Sequence, residues 1–404
     1  MDPVTHGIAG ALIGKAFFAK ESSQEKPKTA RVAIFAATLG AIFPDVDILV
    51  VWFSHDPLAL QRYHRGFTHS FIGLPIFAAA LAWLTRAFFR RYARRPGSGN
   101  WASPSFAFLF AAYAAGIASH ILLDGFTSFG TRMLNPFSKD RVAWDLLFIV
   151  DFTFTALVLV PQVAAWVHHR REGSQARGTA MWVLLTLLSL GAWTLARAAQ
   201  FAFPIGAFII ASGIVAVLFL FPIRGRATTP VPRRGWCRAG FYVSCAYIVA
   251  CGMAHHAAMA RVRAFAASHH LAVENIGALP LPPSLLEWSG LILTREGVYE
   301  SKFSLRDAAA PKFQFWHDSP QNRYTQITAR LEPVRTYLWY ARFPVMHFGV
   351  VAGNYVVQYA DMRFLTGENR PMPFTFYVSL DSEGKMLAYG RGAQLARVPP
   401  GQEP

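Results

Sequence analysis

His120 and Asp124, in the stretch SHILLD, stand four residues apart. On an α-helix that spacing places them one turn above the other on a single face, where an imidazole and a carboxylate can share one metal ion. Asp45 and Asp47, in FPDVD, are two apart and would diverge on a regular helix, but Pro44 marks a break or a helix start at which one or both can turn inward. His64 and His69, in HRGFTHS, flank Gly66, so a loop must bring either of them in. His6 opens the first apolar run. Imidazole combined with carboxylate suits Zn²⁺ first, with Mn²⁺ or Fe²⁺ next, whereas Mg²⁺ and Ca²⁺ prefer oxygen alone.

Each piece also has an ordinary reading. A histidine at a helix end is commonly a satisfied polar group, acidic residues after a proline favour a helix N-terminus, and His120 with Asp124 could be one hydrogen bond. Their convergence argues for a divalent-metal site. His168 and Glu172 share the four-residue spacing but lie beside Arg170 and Arg171, which reads as a solvated loop.

The elements that must position these residues are set by composition. The 404-residue chain is 53% hydrophobic and 15% charged, with positive mean hydropathy, the profile of a polytopic α-helical membrane protein. A helix needs roughly 20 apolar residues to cross a hydrocarbon core of about 30 Å. About eight spans are expected, near 4–19, 31–53, 70–89, 104–123, 146–167, 179–197, 203–222 and 239–259. The first competes with a signal peptide; lacking a basic start and a small-residue cleavage site, it reads as a retained span. Its Gly7, Gly10 and Gly14 recur at a spacing that suits close helix contact.

The net charge of +16 does not point to nucleic acid, because the excess sits in the membrane part. One set of alternate loops holds most of the Lys and Arg of the first 260 residues, including Lys20, Lys26 and Lys28, Arg90 to Arg95, and Arg224 to Arg238. By the positive-inside rule that set is cytoplasmic, which puts both termini on the extracytoplasmic side. His6, Asp45, Asp47, His64, Arg65, Thr68, His69, His120, Asp124, Asp145 and Asp151 then all face outward. Only Lys and Arg entered that sorting, so the convergence of the histidines and aspartates is independent of it. Ionisable groups at membrane depth are costly and usually mark a site.

From about 261 the texture changes. Segments such as LLEWSGLILT, NYVVQYADMRF and FTFYVSL mix β-branched and aromatic residues with polar ones, and DSEGK reads as a hairpin turn. A mostly antiparallel β domain is expected over 261–404, entered through LPLPP at 279–283, with Trp316, Trp339 and Tyr340 in its core. The remainder divides into a helical core carrying the metal site, 1–167, and further transmembrane helices, 168–260. Cys237, Cys245 and Cys251 have no metal-site spacing and read as packing residues.

The motifs THGIAGALIG, PDVDIL, HRGFTHS and ASHILLDGFTSFG, within roughly the first 155 residues, resemble the YdjM/YbcI-type membrane-bound metal-dependent hydrolases. That family is similar in turn to the zinc-dependent phospholipase C and single-strand nuclease superfamily. The resemblance implies a helical metallohydrolase core in which His120 and Asp124 are paired ligands, with Asp124 able to bridge two ions. It implies that Asp45 or Asp47 is an upstream carboxylate ligand, His64 or His69 the loop histidine, and His6 the early histidine of a second metal. After Asp124 the further histidine of the soluble enzymes is missing and Thr127, Ser128 and Gly130 stand there, so two ions are expected rather than three.

The expected activity is hydrolysis of a phosphate ester, a phospholipid or lipid-linked phosphate, at the outer boundary of a bacterial cytoplasmic membrane. Asp45, Arg65 and Asp124 are the expected catalytic residues. Arg65 has the fork shape to clamp a phosphate oxygen, or alternatively pairs with Asp145 or Asp151. Thr68, Thr127, Asp145 and Asp151 are expected to support the ligands. Two other classes compete. A cation or proton-coupled transporter would need a polar route inward, and residues 32–44 and 104–118 offer no charged side chain for one. A non-catalytic scaffold would hold its metal closed off from water. Oligomeric state is not legible in the sequence.

Overall fold

A computed structural model describes residues 1–19, 27–93, 104–168, 173–198, 205–221, 232–282, 284–365 and 374–395. Among the described residues ten α-helices come first: α1 Pro3–Ile13, α2 Pro27–Ile42, α3 Ile48–Phe53, α4 Ala59–Tyr63, α5 Gly73–Ala93, α6 Phe106–Gly125, α7 Phe152–Val167, α8 Ser174–Ala198, α9 Ile205–Leu220 and α10 Arg233–Ser268. The chain divides into two compact units, one of Met1–Asp47 with Arg65–Ala250, the other of Ile48–His64 with Cys251–Pro404.

The first unit is helical. Its tightest seam joins α2 to α6 through small residues: a Cβ on Gly116 would sit 2.2 Å from the Ala37 carbonyl oxygen, and one on Gly40 2.6 Å from that of Tyr113. α1 lies on α2 in the same way, with Gly10 against Ala37 and Ala41 and Gly14 against Ile34, so the glycine spacing of THGIAGALIG does serve close helix contact. Around the seam Leu109, Tyr113, Ile117 and Ile121 of α6 pack with Ala78 and Ala82 of α5.

Four helical stretches among the described residues are long and apolar enough to cross a membrane, not eight: Thr29–Phe53, Phe106–Gly125, Ser174–Leu195 and Arg233–Ser268. Hydropathy alone overcounts because it does not register where a helix stops. α1 has only 11 residues, about 16 Å of rise, before a π-helical turn at Gly14–Phe18. α5 is long enough but ends in Arg86, Arg90 and Arg91. α7 starts at Phe152 rather than 146, because the chain from Phe126 to Asp151 is irregular, and α9 has 16 residues. Eight of the Lys and Arg that set the expected sidedness, among them Lys20, Lys26, Arg94 and Arg95, lie outside the described residues. His168 is not in a solvated loop: half-buried, it bonds through Nε2 to the Leu218 carbonyl at 2.8 Å and stacks on Trp236, while Glu172 lies outside the described residues.

The second unit holds two four-stranded antiparallel meanders, β1 Asn275–Leu281 to β4 Gln314–His317 and β5 Pro344–Val351 to β8 Met386–Arg391, with strands in chain order. Helices α11 Arg323–Arg330 and α12 Glu332–Tyr340 join the sheets. Asp381 to Lys385 forms the expected hairpin turn, closed by the Asp381 N–H on the Lys385 carbonyl. Trp316 and Tyr340 are buried as expected, but Trp339 is 41% exposed, because a helical turn, not a strand, carries it and turns its ring outward. The LPLPP run is not an entry loop: Leu279, Pro280 and Leu281 finish the edge strand β1, where a proline removes no ladder bond from a central strand. Pro283 lies outside the described residues.

Residues 48–64 belong to this second unit although they precede most of the first. Leu58 is buried in a cluster with Val334, Tyr337, Val357 and Phe376. Arg62 bonds Glu332 at 2.7 Å and Asp56 at 2.8 Å, and the Arg391 guanidinium reaches the Pro57 carbonyl and the Gln61 side chain. The hydrogen bond from Arg62 holds the Glu332 carboxyl below the usual carboxylate range. A depressed folded-state value means that this grip is complete above the unfolded pKa of about 4.3 and is lost as pH falls through the lower, folded one. Hydrogen exchange of residues 58–63 should therefore speed up as pH falls below that range, after correction for intrinsic rates, and Glu332→Gln should flatten the dependence. An unchanged profile in the variant would show that the pair does not hold the segment.

Candidate metal centre

α6 supplies the floor of the site. His120 and Asp124 face the same way from adjacent turns, with His120 Nε2 3.4 Å from Asp124 Oδ2, and both side chains are fully buried. The His120 Nδ1–H donates to the Ala41 carbonyl at 2.7 Å. A carbonyl can only accept, so this bond fixes the tautomer and leaves the lone pair on Nε2.

α2 ends where Pro44 cannot continue it, and FPDVD forms a 3₁₀ turn, Phe43–Asp47. The turn separates the two aspartates by role. Asp45 Oδ1 lies 3.3 Å from His69 Nε2 and 3.5 Å from His120 Nε2. Asp47 lies behind His69: its Oδ2 is 3.1 Å from His69 Nδ1 and accepts from the Thr68 hydroxyl at 3.0 Å and from the Arg65 N–H at 2.9 Å.

The HRGFTHS loop delivers His69 through a 3₁₀ turn, Phe67–His69, after Arg65 takes a left-handed conformation at φ 59°. His69 Nε2 stands 3.5 Å from Asp124 Oδ2, and an Nδ1–H donated to Asp47 or Thr68 leaves its lone pair on Nε2. His64, half-buried at the end of α4, falls in the second unit.

Four donor atoms, from Asp45, His69, His120 and Asp124, thus lie within 4.8 Å of one another. Four of their six separations are 3.3, 3.4, 3.5 and 3.5 Å. Donors held about 2.05 Å from one zinc ion at tetrahedral angles stand about 3.3 Å apart. His120 Nε2 and Asp124 Oδ2 are buried and make no hydrogen bond in the described structure, which is costly unless something else satisfies them. The residues present therefore fit a divalent ion.

The second oxygen of Asp124 carries the charge compensation. Oδ1 receives Arg65 at 2.9 Å, His6 Nε2 at 3.2 Å and the Met1 ammonium. His6 also stacks on His120, with ring centroids 3.7 Å apart. The Arg65 guanidinium is further tied to the Thr127 hydroxyl and the Gly130 carbonyl, both at 3.2 Å, and lies over the Phe129 ring. Thr127 in turn donates to the Asp124 carbonyl at 2.8 Å. Asp151 caps α7 by accepting from the Phe154 N–H and takes the Tyr247 hydroxyl, and Asp145 is buried with a left-handed backbone.

Sequence reasoning pointed to the donor residues but missed several of their supports. The Ala41 carbonyl is backbone and carries no residue-type signal. Thr131, donating to the His69 carbonyl at 3.4 Å, and Arg132, donating to that of Arg65 at 3.3 Å, lie in a stretch read as part of no motif.

Residues 1–201 match the family model of the YdjM inner membrane protein. The YdjM match covers all four donors, and with the four apolar helical stretches it marks a membrane protein. The sheets of the second unit lie beyond it. Over 165 residues the chain is 25% identical to the uncharacterized protein YfhP of Bacillus subtilis (strain 168), an alignment covering 41% of this chain and 45% of that protein, so the chain spans under half of that relative's length. No solved structure matches.

The buried Arg65–Asp124 pair generates a prediction about folding. Removing one partner of a buried ion pair leaves an uncompensated charge and costs about 3–5 kcal/mol. Arg65→Met should lower stability by ~3 kcal/mol or more on that basis, read from reversible unfolding of the detergent-solubilised protein. A loss comparable to that of a surface pair, ~1 kcal/mol or less, would show that Arg65 does not anchor Asp124.

Proposed function

We propose that this chain is a metal-dependent hydrolase of a bacterial cytoplasmic membrane, acting on the phosphate ester of a phospholipid or lipid-linked phosphate, with its site at the extracytoplasmic boundary. The observation that carries the reading is the set of four donors at the spacing of one coordination shell, with its imidazoles turned toward a common point by partners on their other nitrogens. The outward placement rests on the Lys and Arg count of alternate loops.

In this reading Asp45, His69, His120 and Asp124 hold the ion. When bound, a divalent ion there supplies Lewis-acid polarisation of a phosphoryl oxygen and lowers the pKa of water. The protein's own groups do the positioning. Asp47 and Thr68 orient His69, the Ala41 carbonyl orients His120, and Arg65 with Thr127 fixes Asp124. Because its guanidinium is engaged by Asp124, Thr127 and Gly130, Arg65 acts through Asp124 and not as a free phosphate clamp. A second ion at His6 would have to displace the Arg65 and Met1 contacts on Asp124 Oδ1, so the geometry favours one ion over the two expected.

One observation favours a second reading. Four protein donors, three of them buried and Asp45 partly so, fill the shell of a structural Zn²⁺, whereas Mn²⁺ or Fe²⁺ has further positions to offer. In that case the ion would stabilise a membrane scaffold.

The test uses the full chain purified without chelators. Elemental analysis should find about one divalent ion per chain or more, lost in Asp124→Ala while the variant still inserts in the membrane. Asp47→Asn should weaken metal affinity by about 10–100-fold, as loss of a carboxylate behind a ligand histidine does. Phospholipid vesicles should be hydrolysed by the loaded protein and not by Asp124→Ala. Retained metal in Asp124→Ala would remove the proposed site. Metal lost as expected, but with no hydrolysis and a Co²⁺ spectrum indifferent to added phosphate, would establish the scaffold instead.

A further inference from the structure

The stretch from Phe126 to Asp151, between α6 and α7, is bonded to the residues of the metal centre. The Gly130 carbonyl accepts from Arg65, Thr131 donates to the His69 carbonyl, Arg132 to that of Arg65, and the Met133 carbonyl accepts the Phe71 N–H at 2.9 Å. The same stretch also exposes large apolar side chains: Leu134, Trp144, Ile149, Val150 and, at 84% exposure, Phe137.

These two properties together fix a depth. Irregular backbone facing lipid is not tolerated inside the hydrocarbon, because its N–H and C=O groups would lack partners. Large apolar side chains grouped on a surface are equally unfavourable in bulk water. The headgroup–acyl boundary satisfies both, since backbone there reaches water while rings reach the acyl chains, and tryptophan is enriched at that level. α6 points to the same level: it is one of the helices long and apolar enough to cross a membrane and ends at Gly125, so the loop begins where such a span would leave the hydrocarbon.

We infer that residues 126–151 form an interfacial anchor, immersing Phe137 and its apolar neighbours in the leaflet on the metal centre's side, and that the site receives a bilayer-resident lipid and not a soluble ester. The first half stands on the loop alone; the second rests on the hydrolase reading. The same loop that touches the lipid holds Arg65 and His69, so the anchor and the site are one piece of structure.

A nitroxide carried on p-acetylphenylalanine in place of Phe137, in the full chain reconstituted into phosphatidylglycerol–phosphatidylethanolamine vesicles, reads the depth directly. Collision with oxygen should exceed collision with a water-soluble nickel chelate and place the label about 5–10 Å below the phosphates. In the same vesicles Phe137→Asp should lower hydrolysis of the phospholipid by about tenfold, with metal content and hydrolysis of a soluble phosphodiester unchanged. A label more accessible to the nickel chelate overturns the anchor. An immersed label with both substrates equally affected by Phe137→Asp overturns the substrate assignment. An immersed label with no hydrolysis by the native protein removes the hydrolase reading and the substrate assignment with it, and upholds the anchor.

Discussion

A carboxylate buried at the end of a helix long and apolar enough to cross a membrane is the constraint on which the first unit turns. Asp124 has no access to water, and an ionised carboxylate in such surroundings is tolerated only if paired and hydrogen-bonded. No single neighbour does this. Arg65 comes from a loop, His6 from α1, His120 from the preceding turn of its own helix and His69 from a 3₁₀ turn. Packing around one charge therefore fixes the relative placement of three separate pieces of chain, α1, the HRGFTHS loop and α6. Neutralising one oxygen with Arg65 and His6 leaves the other turned toward the two imidazoles and Asp45, and that division of labour between the two oxygens makes a donor set out of a counterion cluster.

Much of the centre was legible because its chemistry is written in residue types at short spacings. His120 and Asp124 announce themselves by a four-residue interval in an apolar run, and Asp45, Asp47 and His69 by being polar where hydropathy forbids it. The distinction between Asp45 and Asp47 was not legible, because it depends on how far a 3₁₀ turn rotates each side chain, and a proline says only that the helix changes. Arg65 was expected on a phosphate, Asp145 or Asp151 and instead sits on Asp124: a long side chain has many targets within reach, and burial selects among them. The number of spans was overestimated because apolar composition does not register where a helix stops, as α1, α7 and α9 do after 11, 16 and 16 residues. The antiparallel strands and the Asp381–Lys385 turn were readable from local alternation. The membership of residues 48–64 in the second unit was not, because only three-dimensional packing of Leu58 reveals it.

The supports behind the donors belong to a different class of information. Each imidazole is held at the nitrogen that faces away from the common point, one by a backbone carbonyl and one by a carboxylate with a threonine. Such contacts fix tautomer and ring direction before any ligand arrives, and they are the part of a metal centre that most resists recognition from sequence.

The carbonyl that orients His120 belongs to Ala41, and Ala41 is held where it is by a glycine seam. A Cβ at Gly116 would stand 2.8 Å from the Ala41 nitrogen, and one at Gly10 2.5 Å from the Ala41 Cβ. The centre's ring geometry is thus inherited from two positions with no chemistry of their own. A larger residue at Gly10 or Gly116 would therefore turn the His120 ring without replacing any of the four side chains that face the common point.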